Sequence, residues 1–200
     1  MTRKGLVAIW LVILFATVLG LFWKNELVYN LPTPVPADYK FVALGENLHL
    51  DLHRAPSSRP LLLHFFNPAC PCSKFNIRHF KKLAKQYGGK ADFIIVAITA
   101  NRDYTESSIQ KMFRLNLPVL FDTSIAKKCG VYSTPQAVIV DAQSKLFYRG
   151  NYNRSRYCSN NKTEYARMAL DSLLQYGTRP AFDVLALKAY GCQLPKCNKL

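Results

Sequence analysis

The sequence predicts an α/β sandwich with a mixed central sheet, preceded by one N-terminal transmembrane helix. Three observations carry that expectation. Nineteen consecutive uncharged residues run from Gly5 to Trp23. Two continuous apolar runs, "PLLLHFF" and "ADFIIVAIT", have the length and composition of strands buried on both faces, and each precedes a stretch of helical periodicity. Near the end, "QAVIVDAQSKLFYRG" reads as a hairpin and is followed by a helix, so the order βαβ then ββα mixes parallel and antiparallel pairing.

The apolar opening would span roughly 28 Å as a helix, close to the hydrocarbon thickness of a bilayer. Arg3 and Lys4 precede it, and Trp10 and Trp23 add aromatic character. The positive-inside rule then leaves residues 1–4 in the cytoplasm, residues 5–23 as the anchor and the remainder across the membrane. The run exceeds a usual signal core, and "FATVLG" is only an approximate cleavage site, so it is read as uncleaved. Residues 24–37 contain Pro32, Pro34 and Pro36 in alternation, the pattern of an extended, semi-rigid spacer. Residues 38–177 are then one domain, and 178–200 a cysteine-containing tail packed on it.

Within the domain, "FVALGENLHLDLH" reads as a strand, a turn at Gly45 to Asn47 and a second strand with Leu48, Leu50 and Leu52 alternating. "PLLLHFF" is a central strand. "CSKFNIRHFKKLAKQYGG" places Phe75, His79/Phe80, Leu83 and Tyr87 at helical spacing, stopped by Gly88 and Gly89. "ADFIIVAIT" is a strand, "YTESSIQKMFRLN" a helix, "LPVLFD" a brief strand and "TSIAKKCG" a short helix. The hairpin turns at Ala142 to Ser144. A last helix begins at an Asn161 N-cap, with Glu164 three residues later, and ends at Gly177.

With Arg3 and Lys4 set aside, 25 basic and 12 acidic residues remain, a net +13. Outside the cytoplasm such a balance points to solvated surface lysines for many of these charges, and otherwise to anionic headgroups or an acidic partner and not to nucleic acid. All six cysteines (Cys70, Cys72, Cys129, Cys158, Cys192 and Cys197) follow the anchor, as disulfide use in an oxidising compartment requires. No C-x-x-C pair exists, and His49, His53, His64 and His79 all fall in the first half of the chain. The usual zinc spacings are therefore missing, and neither a metal nor a cofactor is expected.

The order of elements, the cysteine turn "FNPACPCSKF" after an apolar strand, and "GVYSTPQAVIVD" ahead of the hairpin together resemble the thioredoxin fold. The resemblance covers 38–177 and is strongest over 61–75 and 129–150. It is nearest to membrane-tethered periplasmic redoxins of the TlpA and AhpC/TSA type. It implies a three-layer sandwich, a nucleophile at Cys70, a cis-proline at Pro135 that receives a substrate chain edge to edge, and His64 in the place of a buried proton-relaying carboxylate. It also implies protein or small-molecule thiols and disulfides as substrates, with a membrane electron donor. The motif departs from the family: Cys70-Pro71-Cys72-Ser73 sets the second sulfur one residue early, and Ser73 stands where the resolving cysteine belongs.

Several assignments follow. A cysteine at a helix N-terminus, with Pro71 at the first helical position and Lys74 and Arg78 nearby, favours the thiolate. His64 would serve as general base, or else lie hydrogen-bonded within the sheet. Cys70 and Cys72 are the expected redox pair, a bond that requires Cys70 to lie in the loop. Cys129 and Cys192 are alternative resolvers, and Cys158, Cys192 and Cys197 alternatively staple the tail, with Cys158–Cys192 the expected structural bond.

The leading function is thus a membrane-anchored thiol–disulfide oxidoreductase. A peroxiredoxin is a second reading, against which Asn67 stands where such enzymes carry Thr or Ser. Cu(I) binding is a third, since paired thiolates suit that ion. The Sco-type copper proteins add a late histidine, which no residue after His79 supplies.

Overall fold

The structure is a computed structural model that describes residues 2–27, 30–52 and 58–194. His53 and Cys197, with the end of the second expected strand and the last residues of the tail, lie outside the described residues.

Helix α1, Arg3–Phe22, continues through a wider turn at Trp23–Leu27 and buries none of its residues in the protein. With a mean hydropathy of 2.6, it is long and apolar enough to cross a membrane. Its one interior hydroxyl, on Thr17, donates to the Ile13 carbonyl at 2.8 Å.

β1 (Leu61–Phe66) is wholly buried at the middle of a five-stranded sheet. β2 (Asp92–Ala97) pairs parallel to it and β3 (Val119–Leu120) parallel to β2. On the other side, β5 (Gln136–Val140) pairs antiparallel to β1 and β6 (Leu146–Gly150) antiparallel to β5. The order β3-β2-β1-β5-β6 is the mixed sheet that the alternation predicts.

Strand periodicity divides the core. Leu62 and Phe66 join the cluster fed by α2 (Pro71–Tyr87), α3 (Glu106–Phe113) and α5 (Tyr165–Tyr176), through Phe80, Leu83, Phe113, Ala166 and Leu170. Leu61, Leu63 and Phe65 face Val42, Leu48 and α4 (Thr123–Lys128), through Ile125 and Ala126. Helices therefore lie on both faces, in a thioredoxin-like three-layer fold.

Two local expectations are corrected. The stretch 41–52 forms no continuous strand; it meets the hairpin at a bridge between Asn47 and Lys145, where the Gly45 and Leu48 amides donate to the Leu146 and Ser144 carbonyls and the Leu146 amide to the Glu46 carbonyl. Gly45, at φ 90°, turns the chain, and the Ala43 amide donates to the Glu46 carboxylate, so the pairing stays short. The last helix begins differently as well. Asn160, not Asn161, accepts a capping bond, over a short 3₁₀ turn at Asn161–Thr163, and α5 starts only at Tyr165. Its stop at Gly177, φ 66°, is as expected, since a left-handed C-cap favours glycine.

The proline-rich segment is not held clear of the domain. Thr33 is buried, its amide donates to the Ala189 carbonyl at 2.8 Å, and Pro32 bridges Tyr190. Extended chain keeps its carbonyls and non-proline amides available, and here they meet the tail. The tail itself forms a short helix α6 (Val184–Leu187) and a two-residue strand β7 (Cys192–Gln193). β7 pairs antiparallel with β4 (Ser133–Thr134) in a separate small sheet.

Candidate active site

β1 delivers the chain to the site. After Phe66, the Asn67 side chain accepts from the Ala69 amide and the Asn67 amide donates to Ser73 Oγ, which closes a tight loop. Cys70 follows as the N-cap of α2 in extended geometry, with Pro71 at the start of the helix where no N–H partner is lost. The Cys70 carbonyl accepts from the Lys74 amide. The sulfur of Cys70 thus sits beside the first turn, where backbone dipoles favour a thiolate.

That sulfur is bonded to Cys192, 122 residues further along the chain. The Sγ atoms of Cys70, Cys72 and Cys192 all lie within 4.8 Å of one another, and the three residues are buried. The expected Cys70–Cys72 bond is therefore corrected: the partner comes from the tail. Neighbours i and i+2 at a helix start diverge, whereas β7 carries Cys192 directly over the N-cap. The expected Cys158–Cys192 bond is corrected by the same observation. Cys158 is a free thiol, pushed up to about 12 by burial and then by Glu164. Cys129 is also free and caps the C-terminus of α4, its thiol pushed up to about 12 by burial. Neither forms a reactive thiolate at neutral pH.

Pro135 follows β4, and its bond to Thr134 is cis. Thr134 stands opposite Cys192 and Ser133 opposite Gln193, so the disulfide joins the start of α2 to β7, the strand paired with the one that leads into Pro135.

His64 lies among aromatic rings. It stacks on Phe80 at 4.4 Å, meets Phe113 and Tyr152 edge-on, and shares a 2.7 Å hydrogen bond with the Tyr152 hydroxyl. Burial, with a smaller contribution from nearby His79, lowers its pKa to about 3. It is therefore uncharged throughout the physiological range and does not titrate near neutrality, as a shuttle there would have to.

One residue that sequence reasoning missed is Arg156. Its guanidinium donates at 2.8 Å both to the Glu26 carboxylate and to the Asn25 carbonyl, at the foot of α1. It also lies over the rings of Phe75 and Tyr157. Burial opposes its charge, but the Tyr157 hydrogen bond and the field of Tyr157, Glu26 and Cys72 outweigh it and raise its pKa. A lone arginine in a loop has no motif; only the fold brings it beside Phe75 of α2 and the foot of α1.

Over residues 41–196 the chain matches a family described as "Domain of unknown function (DUF6436)", and it belongs to that family. No curated protein matches it. Among solved structures, it is similar to a hypothetical protein from Sinorhizobium meliloti 1021, at 22% identity over 78% of this chain and 96% of that one, with a TM-score of 0.64. An uncharacterized conserved protein from Geobacillus kaustophilus aligns at 22% identity over 72% and 88%, with a TM-score of 0.57. A thioredoxin-like protein solved in its oxidized form aligns at 14% identity over 70% and 97%, with a TM-score of 0.49.

Proposed function

We propose that this member of the DUF6436 family is a membrane-anchored thiol–disulfide oxidoreductase of the bacterial inner membrane, acting in the periplasm through Cys70. The observation that carries this reading is the Cys70–Cys192 disulfide at the start of α2, with Cys72 as a third sulfur within 4.8 Å. In the oxidising direction a substrate thiolate attacks Cys70 Sγ, the bond to Cys192 breaks, and Cys192 leaves as a thiolate. A second substrate thiol then attacks the mixed disulfide, which releases Cys70 and an oxidised substrate. In reverse, Cys70 attacks a substrate disulfide and Cys192 resolves it. The relative potentials of substrate and protein set the direction.

His64 is assigned to packing and not to proton transfer. Asn67 holds the loop through its side chain, which leaves no hydroxyl at that position for peroxide and argues against a peroxidase. Arg3 and Lys4 before the apolar helix support a cytoplasmic N-terminus, and the docking of Arg156 on Glu26 supports a site held close to the membrane, within reach of a membrane electron donor. Cys70→Ser should abolish turnover of a small disulfide substrate, with Cys129→Ser as an unaffected control. Undiminished turnover in Cys70→Ser would refute the reading.

One observation favours a second reading. Once the disulfide is reduced, three buried sulfurs within 4.8 Å form a donor set suited to Cu(I), with no need for a histidine. Anaerobic purification of the reduced chain with added Cu(I) should retain one equivalent, lost in Cys72→Ser. Absence of retained copper would set that reading aside.

A further inference from the structure

The segment bonded to Cys70 shows how a cysteine-bearing chain is held at this site. Cys192 and Gln193 run extended and antiparallel along Ser133 and Thr134, with the flanking Tyr190, Gly191 and Leu194 bonded beside them. The Leu194 amide donates to the Tyr132 carbonyl at 3.0 Å, and Ser133 Oγ donates to the Tyr190 carbonyl at 3.1 Å. From the far side, Thr33 Oγ1 donates to the Gly191 carbonyl at 3.2 Å. Most of these contacts go to backbone atoms, which any extended chain offers, as in recognition by strand addition.

The residue before the cysteine is the exception. Gly191 sits at φ 118°, and a Cβ built there would come within 2.2 Å of the Thr134 carbonyl oxygen. That oxygen is backbone of the strand leading into Pro135 and cannot step aside as a flexible side chain would. The groove is thus cut for glycine followed by cysteine.

We propose that the tail is a resident stand-in for the substrate. The site accepts an extended protein segment in which glycine precedes the reactive cysteine, and the tail vacates the same groove to admit it. The proposal rests on Cys70 being the nucleophile.

The exchange balances. An external dithiol gives two electrons and two protons to Cys70–Cys192, becomes a disulfide, and leaves two thiols. The tail end, no longer bonded to Cys70 and held by its hydrogen bonds and the packing of Leu194, gives way to the incoming segment. Cys70 attacks the substrate cysteine, and the former partner of that cysteine leaves as a thiol. On its return, Cys192 attacks Cys70, reforms the original bond and expels the substrate as a thiol. The tail is therefore both competitor and resolver.

The test uses the full chain, reduced and held in detergent micelles. Two peptides copied from the tail, AYGCQLP and AYACQLP, are each joined through cysteine to 2-nitro-5-thiobenzoate, and the release of that chromophore is followed. The glycine peptide should react about tenfold faster than the alanine peptide, the order of penalty carried by a strained positive-φ residue. Gly191→Ala in the protein should undock the tail and speed reaction with the glycine peptide severalfold. Equal rates for the two peptides, or no acceleration in Gly191→Ala, would overturn the stand-in. The glutathione–thiobenzoate disulfide separates the two claims. Rapid reaction with it, absent in Cys70→Ser, keeps the nucleophile intact while the peptide comparison fails. Reaction persisting in Cys70→Ser would overturn both.

Discussion

Acidification should expose the cost of burying His64. In the unfolded chain this imidazole titrates at about 6.5. In the fold, burial and then His79 hold it at about 3. Folding with a depressed pKa contributes stability that is complete above the unfolded value and is lost as pH falls from 6.5 towards 3. Each pH unit in that window is worth about 1.4 kcal/mol, so between pH 7 and pH 5 the loss from this one residue is about 2 kcal/mol. The side chain is fully buried against Phe80, Phe113 and Tyr152, so solvent screening does not reduce that figure appreciably. His64→Phe suits the aromatic surroundings and removes the titration, at a pH-independent cost from the Tyr152 hydroxyl that loses its partner. Both proteins retain His79, so the difference in their pH dependence reports His64. Urea unfolding of the oxidised full chain in micelles at pH 7 and 5, followed by the near-UV signal of the buried tyrosines, measures it. Wild type should lose about 2 kcal/mol more than His64→Phe over that interval. Equal losses would refute the argument, and an activity profile in which the wild type alone shows an inflection near pH 6.5 would restore His64 as a proton carrier.

Two further outcomes follow. Reducing Cys70–Cys192 opens a loop spanning 122 residues and should lower unfolding stability by about 5 kcal/mol in the chain-entropy account, an effect that Cys72→Ser leaves in place. Coincident urea midpoints with and without reductant would contradict it. Cys129, buried and pushed up to about 12, should resist iodoacetamide at pH 7.5 until the chain unfolds, and alkylation at the rate of an exposed thiol would show that its burial is wrong.

What was legible in the sequence is what local pattern encodes. The two apolar runs became β1 and β2 because six or so consecutive apolar residues can only be buried on both faces of a sheet. Phe80, Leu83 and Tyr87 announced α2 by spacing, and Pro71 fixed its start. The redox partner was a different matter. β7 is two residues long, too short for periodicity to register, and its pairing with β4 spans some sixty positions. Closeness in sequence favoured Cys72, whereas the fold brings Cys192 over the helix start. Gly191 was visible as a glycine beside a cysteine, but its reason, the Thr134 carbonyl, lies in another element. The aromatic setting of His64 likewise needs Phe80, Phe113 and Tyr152 from three separate segments.

The central claim is that Cys70 works with a sulfur from the tail. It is tested most directly by mapping disulfides in the oxidised full chain, alkylated under denaturing conditions and digested with trypsin without reduction. Cleavage after Arg54, Lys74, Lys188 and Lys196, with the Arg59–Pro60 bond resisting trypsin, should yield residues 55–74 joined to residues 189–196 through Cys70 and Cys192, with Cys72 alkylated. A closed Cys70–Cys72 loop in residues 55–74, or Cys192 joined to Cys158, would contradict it.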